Sequence, residues 1–432
     1  MSINSFECKP GSLRPWLDYL ASLNPSHIEL GLGRVSKVLD LLNLDFKNSL
    51  VIEVAGTNGK GSTAALIAAN LTLAHIKTGL YTSPHLWTFN ERVMVDGHKA
   101  CDDELALAFK QVYDVAQYNK IPLTYFEYTT LAAFVHFANC GCEALVLEIG
   151  LGGRLDAVNV LDADLCVITS IGLDHTKILG SSIKDIAHEK AGIIKDNAQV
   201  LLGLMDSEAL DVIKDCAEEK HAFIYQDGTD FKASFEDKTY FDDLDKKFSL
   251  TLSLPKIPEI CVACVIKALL LIEEKFSDKV RFKFDINKVN ETLNTVSLPG
   301  RMQKINSHPD VYLDVAHNPP AALHLAKVLQ KHKVIGLRHA LIGMLADKDV
   351  ESVLKIVKDS FDDFYLASLH TDRGENCVRL KNALLSLGVL PSKIHCYDKV
   401  SLALEDLYKN AHSDDEIIIL GSFVTVSEAY KP

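Results

Sequence analysis

Residues 50–63 read LVIEVAGTNGKGST. An apolar run enters a turn carrying three glycines, a lysine and three hydroxyls, and the alanine-rich segment GSTAALIAANLTLA (61–74) continues from it. A strand–turn–helix of this composition suits phosphate. Gly56, Gly59 and Gly61 let backbone N–H groups approach an anion, and the helix points its N-terminus at the same place. Lys60 can neutralise phosphate charge, while Ser62 or Thr63 can offer a hydroxyl to Mg²⁺. The spacing nevertheless departs from the common loop G-x-x-x-x-G-K-[ST]. Counting back from Gly59-Lys60, the first glycine position holds Val54, and Gly61 separates Lys60 from Ser62. The alternative is an ordinary glycine-rich βα turn; a lysine flanked by glycines favours phosphate.

Outward from this loop, short apolar runs recur at ALVLEIG (144–150), DLCVITSIG (164–172) and QVLLGL (199–204). They alternate with amphipathic stretches such as DDELALAFKQVYDVAQ (102–117) and EYTTLAAFVHFANC (127–140). Continuous apolar strands separated by helices predict a parallel sheet covered on both faces, in an α/β doubly wound design. The stretch FKASFEDKTYFDDLDKKFSLTLSL (231–254) is polar and alternating, and predicts an appended antiparallel hairpin. Near SLPGRMQKI (297–305) the pattern restarts. The strand VYLDVAH (311–317) leads into the helix PPAALHLAKVLQKH (319–332), with prolines at its first positions, and the chain closes on DEIIILGSF (415–423). Two α/β domains are predicted, 1–296 and a smaller 297–432.

A chain of 432 residues is too long for one ordinary core. Its net charge of −13 argues against nucleic acid or an acidic membrane surface as the main partner. The ten cysteines form no dense framework. Cys261 and Cys264 share a C-x-x-C spacing but lie in CVACVIKALLLI, a buried helix by pattern, so packing outweighs zinc or redox chemistry; Cys140 and Cys142 read the same way. The N-terminal MSINSFECKPGS lacks the apolar core of a signal peptide, and no apolar run reaches the roughly 18 residues of a membrane span. A reducing cytoplasm is the expected setting.

The string VAGTNGKGST resembles the phosphate loop of the Mur-ligase superfamily, in its folylpolyglutamate synthase branch, where the inserted glycine is the regular spacing. The stretches YTSPHL (81–86), FNERV (89–93), EIGLGGRLDAVN (148–159), LDHTKILG (173–180), EKAGIIK (189–195), LPGRM (298–302), DVAHNP (314–319) and GSF (421–423) match that branch in order. The segments RPWLDYL, IELGLGRV and LTYFEYTTL are similar to its bacterial bifunctional dihydrofolate synthase/folylpolyglutamate synthases. The resemblance implies a P-loop-containing Mur-ligase-like N-terminal domain with a mainly parallel sheet and a small antiparallel appendage. It also implies a smaller Rossmann-like α/β C-terminal domain that carries the glutamate-ligase chemistry. The implied activity is ATP-dependent amide formation through an acyl phosphate. L-glutamate would be added to dihydropteroate, giving dihydrofolate, and to reduced folylglutamates, giving a γ-linked tail. ATP, two magnesium ions and a potassium ion are the implied cofactors, and a monomer acting on small molecules is the implied state.

Residue by residue, the phosphate loop spans Gly56, Thr57, Asn58, Gly59, Lys60, Gly61 and Ser62. Ser83, Glu148 and His175 each follow or end a strand, where open α/β sheets bind ligands; taken alone, the first and last are as readily turn residues. In the family their equivalents hold magnesium. Lys190 would ordinarily be read as a solvated helix lysine, and by resemblance it is carbamylated into an anionic ligand. Arg154 and Asp156 can pair with each other on their loop, but the resemblance puts Asp156 on the pterin with Thr124 and Phe126. Val158 stands where the family usually has Thr. Arg301 and Asp314 match contacts to nucleotide phosphate and ribose. His317, Asn318 and Ser422 match positions near the incoming glutamate, His317 as a catalytic group. The family's adenine-side Asn aligns with Cys261, which cannot replace an amide's paired donor and acceptor. Competing expectations are a synthase with one folate activity, a cell-wall Mur ligase, and a nucleotide switch without ligase chemistry.

Overall fold

The computed structural model describes residues 12–23 and 29–432. Residues 1–11 of MSINSFECKPGS and Ile28 of IELGLGRV lie outside them. The described chain forms two compact units, with the boundary between Val296 and Ser297; the short segment Asp174–Ile178 clusters with the second unit. Among the described residues no helix is long and apolar enough to cross a membrane.

The first unit is built on an eight-stranded sheet. In spatial order its strands are His98–Lys99, Val93–Val95, Thr78–Tyr81, Ala144–Glu148, Leu50–Ala55, Leu165–Ile168, Gln199–Leu202 and Phe223–Gln226. All neighbours are parallel except at the first edge, where Val93–Val95 runs antiparallel to both of its neighbours. Every residue of Leu50–Ala55, Ala144–Glu148 and Leu165–Ile168 is buried, as expected of strands with helices on both faces. Two acids break the apolar rule, Glu148 at a strand end and Glu53 in a strand interior. Glu53 is fully buried in the central strand, both its carboxylate oxygens lack a hydrogen-bond partner among the described residues, and burial holds its pKa well above the usual range.

Register sets what the sheet presents. Leu50–Ala55 pairs with Ala144–Glu148 so that Val54 lies opposite Glu148, and with Leu165–Ile168 so that Ala55 lies opposite Ile168. The turns beginning at Gly56, Ile149 and Thr169 therefore leave the sheet side by side. Strand order reverses here, since chain continuing from the central strand visits Thr78–Tyr81 on one side before Leu165–Ile168 on the other.

The appendage at 231–254 differs from the predicted hairpin by one strand. Phe231–Phe235, Thr239–Asp243 and Phe248–Leu252 form a three-stranded antiparallel meander. Two turns, EDK and LDKK, fold it, and the polar second turn masks a strand boundary in the sequence. Phe231 and Phe241 stack at 6.2 Å on its buried face. A buried ion pair, Lys267 Nζ to Asp243 at 2.8 Å, ties the meander to the helix Val262–Lys275. That helix buries both Cys261, at its start, and Cys264.

In the second unit six strands run Gln303–Asn306, Asp310–Leu313, Glu416–Leu420, Arg338–Ile342, Asp363–Ala367 and Ile394–Tyr397, parallel except for the first pair. The fold is thus α/β throughout, with a parallel-dominated first sheet, a small antiparallel sheet and a mixed C-terminal sheet.

Candidate functional site

In the first unit the glycine-rich turn is held by backbone geometry. Gly56 has φ +146°, and a Cβ there would stand 2.0 Å from Thr169 Oγ1. Gly59 has φ +85° and caps the helix Lys60–Leu73. The neighbouring strand end fastens the loop. Thr57 N donates to the Ser170 carbonyl at 2.8 Å, Asn58 N to Ser170 Oγ at 3.1 Å, and Thr169 Oγ1 to the Asn58 carbonyl at 2.6 Å. The Thr57 hydroxyl bonds both backbone groups of Gly172. Lys60 is half-buried and curls over its own loop, Nζ donating to the Thr57 carbonyl at 3.3 Å.

The inserted glycine has a structural reason. A Cβ at Gly61 would stand 3.2 Å from Glu148 Oε2, so the glycine lets this carboxylate come in against the first helical turn. Glu148 Oε2 also accepts the Ser83 N–H at 3.0 Å, which brings loop, strand end and YTSPHL turn together. Thr63 Oγ1 is buried without a partner, whereas the Ser62 hydroxyl is not among such sealed atoms, so Ser62 is the usable hydroxyl of the two. Lys190 is 5% exposed rather than solvated, and its Nζ donates to the Gly56 carbonyl at 2.8 Å. Among the described residues no three His, Cys, Asp or Glu side chains converge on a metal-sized site. One carboxylate with hydroxyl oxygens suits Mg²⁺, which keeps waters and takes substrate phosphates as ligands.

The turn after Glu148 carries Arg154 and Asp156. Asp156 is buried, and its two carboxylate oxygens accept the N–H groups of Leu151 at 2.7 Å and Val158 at 2.9 Å. Burial raises it to about 6 despite those bonds and the charge of Lys60. Arg154 does not pair with Asp156. Its guanidinium meets Glu189 at 2.8 Å and its N–H donates to the Glu189 carbonyl at 2.7 Å, tying the turn to the helix Ile183–Ala191, which carries Lys190 in its last turn. Thr124 caps the helix Tyr125–Cys140, exchanging bonds with Glu127. Phe126 abuts Gly150, where a Cβ would fall 2.5 Å from its ring, and Val158 is fully buried. Cys261 Sγ donates to the Gly59 carbonyl at 3.5 Å, so it supports the loop from beneath.

The second unit builds its turns from side chains. Asp314 accepts the N–H groups of Met302 at 3.0 Å and Ala316 at 2.8 Å; burial raises its pKa, against the pull of Arg301. The Arg301 guanidinium lies 5.7 Å from the Phe423 ring centre. Ser422 caps the helix Phe423–Ala429, with its hydroxyl engaged by the backbone and side chain of Thr425. Asn318 caps Pro319–Lys331 and donates Nδ2 to Asp174 at 3.0 Å. His317 Nδ1 donates to the Val315 carbonyl at 2.8 Å and turns Nε2 toward Asp174 at 3.7 Å, an electrostatic contact rather than a formed bond. Lys348, 7% exposed, donates to Asp174 at 2.7 Å and approaches His175 Nε2 at 3.5 Å. His175 itself sits in the left-handed region with φ +50°. Burial works to raise Asp174, but His317, Lys348 and His175 together hold it far below the ordinary carboxylate range.

Sequence reading missed Asp174 and Lys348. The first adjoins His175 in the quoted LDHTKILG, and the second lies in LADKD, which looks like any charged turn. His175 clusters with these residues and the second unit, while Ser83, Glu148, Lys60 and Lys190 belong to the first.

Family models of the Mur ligase middle domain and of the Mur ligase glutamate ligase domain match residues 54–259 and 300–423. The dihydrofolate synthase/folylpolyglutamate synthase of Escherichia coli K12 is 36% identical over 96% of this chain and 94% of its own. The chain belongs to that family of Mur ligases. The Bacillus subtilis member of the family is 30% identical over 94% of this chain and 95% of its own. Among solved structures, E. coli FolC in complex with DHPP and ADP superposes with a TM-score of 0.87 at 36% identity, covering 96% of both chains. A bifunctional folylpolyglutamate synthase/dihydrofolate synthase with Mn, AMPPNP and L-glutamate bound gives 0.86 at 34% identity, covering 96% of this chain and 97% of the other. The middle-domain model spans the glycine-rich loop and the glutamate ligase model the DVAHNP turn, on either side of the boundary between Val296 and Ser297.

Proposed function

We propose that this protein is an ATP-dependent ligase that joins L-glutamate to dihydropteroate and, with reduced folylglutamates as acceptors, extends a γ-linked tail. The observation that carries the reading is the convergence on one sheet edge of the Gly56–Ser62 loop, the Glu148 carboxylate and the Asp156 turn. An acceptor carboxylate is a poor acylating agent. Its oxygen attacks the γ-phosphorus of ATP, ADP leaves, and an acyl phosphate results. The α-amine of glutamate then attacks the carbonyl carbon and expels phosphate. The backbone N–H groups of the loop and Lys60 hold the phosphates and offset charge on the phosphoryl group in flight. Magnesium, held by Glu148, Ser83 and Ser62, would supply further charge neutralisation. Asp156, ionised above about pH 6, accepts pterin N–H donors, with Thr124 and Phe126 beside it and Arg154 fixing the turn.

In the second unit Arg301 and Asp314 serve the nucleotide, and His317 and Ser422 the incoming glutamate. His317 keeps Nδ1 on the Val315 carbonyl, which leaves Nε2 to take a proton from the glutamate ammonium. Lys348 beside it suits a glutamate carboxylate. Finer parts of the reading are a bound potassium ion and carbamylation of Lys190, in which neutral Nζ attacks CO₂ and loses a proton to give an anionic oxygen ligand. The reading calls for a monomer in a cytoplasmic setting and for neither nucleic acid nor membrane. Phosphate release from MgATP tests it, with dihydropteroate and L-glutamate supplied singly and together. Release that requires both, with dihydrofolate formed, is expected; release indifferent to both acceptors overturns it. Tetrahydrofolate in place of dihydropteroate tests the second activity.

A further inference from the structure

Arg92 ends the short helical turn Phe89–Arg92 and is only 7% exposed. Its Nε donates to His85 Nδ1 at 2.8 Å, and its guanidinium carbon lies 5.6 Å from the Phe89 ring centre and 5.7 Å from that of Tyr125. A guanidinium this deep normally has a carboxylate, because an uncompensated buried charge is costly. Among the described residues Arg92 has no ion pair, and the imidazole of His85 compensates no charge. The adjacent carboxylate is engaged elsewhere: Glu91 accepts the N–H groups of Leu86, Trp87 and Thr88 and meets Lys99 at 3.6 Å. Among the described residues the two terminal guanidinium nitrogens have no hydrogen-bond partner, yet they are not among the side-chain atoms sealed from solvent. Aromatic rings and an imidazole thus fix a planar cation whose fork remains open.

The position gives the fork a ligand. Tyr125 stands between Thr124 and Phe126, and His85 lies two residues past Ser83, whose N–H meets Glu148. Arg92 therefore sits on the stretch between the acceptor residues and the phosphate loop. Dihydropteroate carries one carboxylate, the one that is activated. A folylglutamate carries a second, the α-carboxylate, beside its reacting γ-carboxylate. We propose that Arg92, oriented by His85 and flanked by Phe89 and Tyr125, is a carboxylate subsite for the α-carboxylate of glutamylated folate acceptors. A planar fork suits a carboxylate better than any other anion of that size. The inference rests on the ligase reading above, and gives the chain a residue that separates its two acceptors.

The decisive comparison uses the native protein first, with tetrahydrofolate and its α-carboxamide as acceptors. Loss of a charge-assisted bond should raise KM for the amide roughly 10–100-fold. In Arg92→Gln, KM for tetrahydrofolate should rise by a similar factor relative to KM for dihydropteroate, with the amide no longer distinguished from the acid; Arg92→Lys should restore part of the distinction. Equal use of acid and amide by the native protein overturns the proposal, as does discrimination that persists unchanged in Arg92→Gln or Arg92→Lys. Phosphate release driven by dihydropteroate and glutamate in the native protein reports separately on the ligase reading.

Discussion

The turn after Leu50–Ala55 and the turn after Asp310–Leu313 occupy corresponding places, each at the carboxyl end of a strand and each feeding a helix, yet they are made from different atoms. The first is glycine-rich, presents backbone N–H groups, and is fastened from outside by Thr169 and Ser170. The second, DVAHNP, contains no glycine, and its Asp, His and Asn side chains satisfy backbone groups or converge on Asp174. A backbone-built turn titrates nothing and depends on single side chains only where one brings charge. A side-chain-built turn is a network, in which one substitution disturbs several contacts and pH acts directly.

The largest expected effect tests the exception in the first turn. Lys60→Ala should cut kcat by ~10²–10³-fold while circular dichroism and the melting temperature stay close to native, because the contact of Lys60 Nζ with the Thr57 carbonyl is long, at 3.3 Å, and the side chain is only half-buried. Activity retained in steady-state phosphate release would remove the phosphate-loop assignment. Asp174→Asn probes the network and should do the opposite, lowering stability as well as turnover, since it leaves Lys348 buried without its carboxylate; ~3–5 kcal/mol is typical of a broken buried pair. Asp174 is held far below its ordinary pKa, so its contribution is fully present above about pH 4 and is lost only as pH falls toward the depressed native value. Chemical denaturation of both proteins between pH 5 and pH 8 should therefore show a constant gap. A gap that closes across that range would break the contrast.

Asp156 gives a smaller effect with the opposite sign. Its native pKa is raised to about 6, so ionising it costs stability progressively as pH rises from about 4 toward 6. In the proposed function the pterin, by contrast, needs the ionised acceptor. KM for dihydropteroate should climb as pH falls below about 6, and Asp156→Asn should abolish that climb while leaving KM for ATP near native. A pH profile of KM unchanged in the variant would assign Asp156 to structure alone. The mildest change is Cys261→Ser. Its hydroxyl can still donate to the Gly59 carbonyl, so nucleotide affinity measured by calorimetry should shift about twofold or less, within the modest net worth of one hydrogen bond. A tenfold loss would show that thiol volume beneath the loop, not the bond, positions Gly59.

The same contrast governs what could be read from sequence. Glycine spacing, apolar strands and proline at a helix start are local signals, and they located the glycine-rich turn, the parallel sheet and the helix Pro319–Lys331. Arg154 was legible as a charged residue of the turn but not its partner, because Glu189 lies 35 residues away in sequence. Asp174 and Lys348 meet across 174 residues, and neither has a neighbour that marks it as special. Lys190 looked solvated because its helix is otherwise polar; only the fold shows it reaching the Gly56 carbonyl. Glu53 is the plainest case. One acid in LVIEVA leaves the strand pattern intact, and nothing local says that both its oxygens end without partners.

Asp174–Ile178 clusters with residues that follow it by more than a hundred positions, although chain on both sides of it belongs to the first unit. The C-terminal unit is therefore not a module in the genetic sense. A gene truncated to encode 297–432 alone would omit the aspartate that neutralises Lys348 and receives the Asn318 amide. Recombination that exchanged C-terminal halves between relatives would have to carry this short upstream segment along, or find a recipient that already encodes it. Shuffling at the obvious boundary would join two pieces of coding sequence but divide one electrostatic unit.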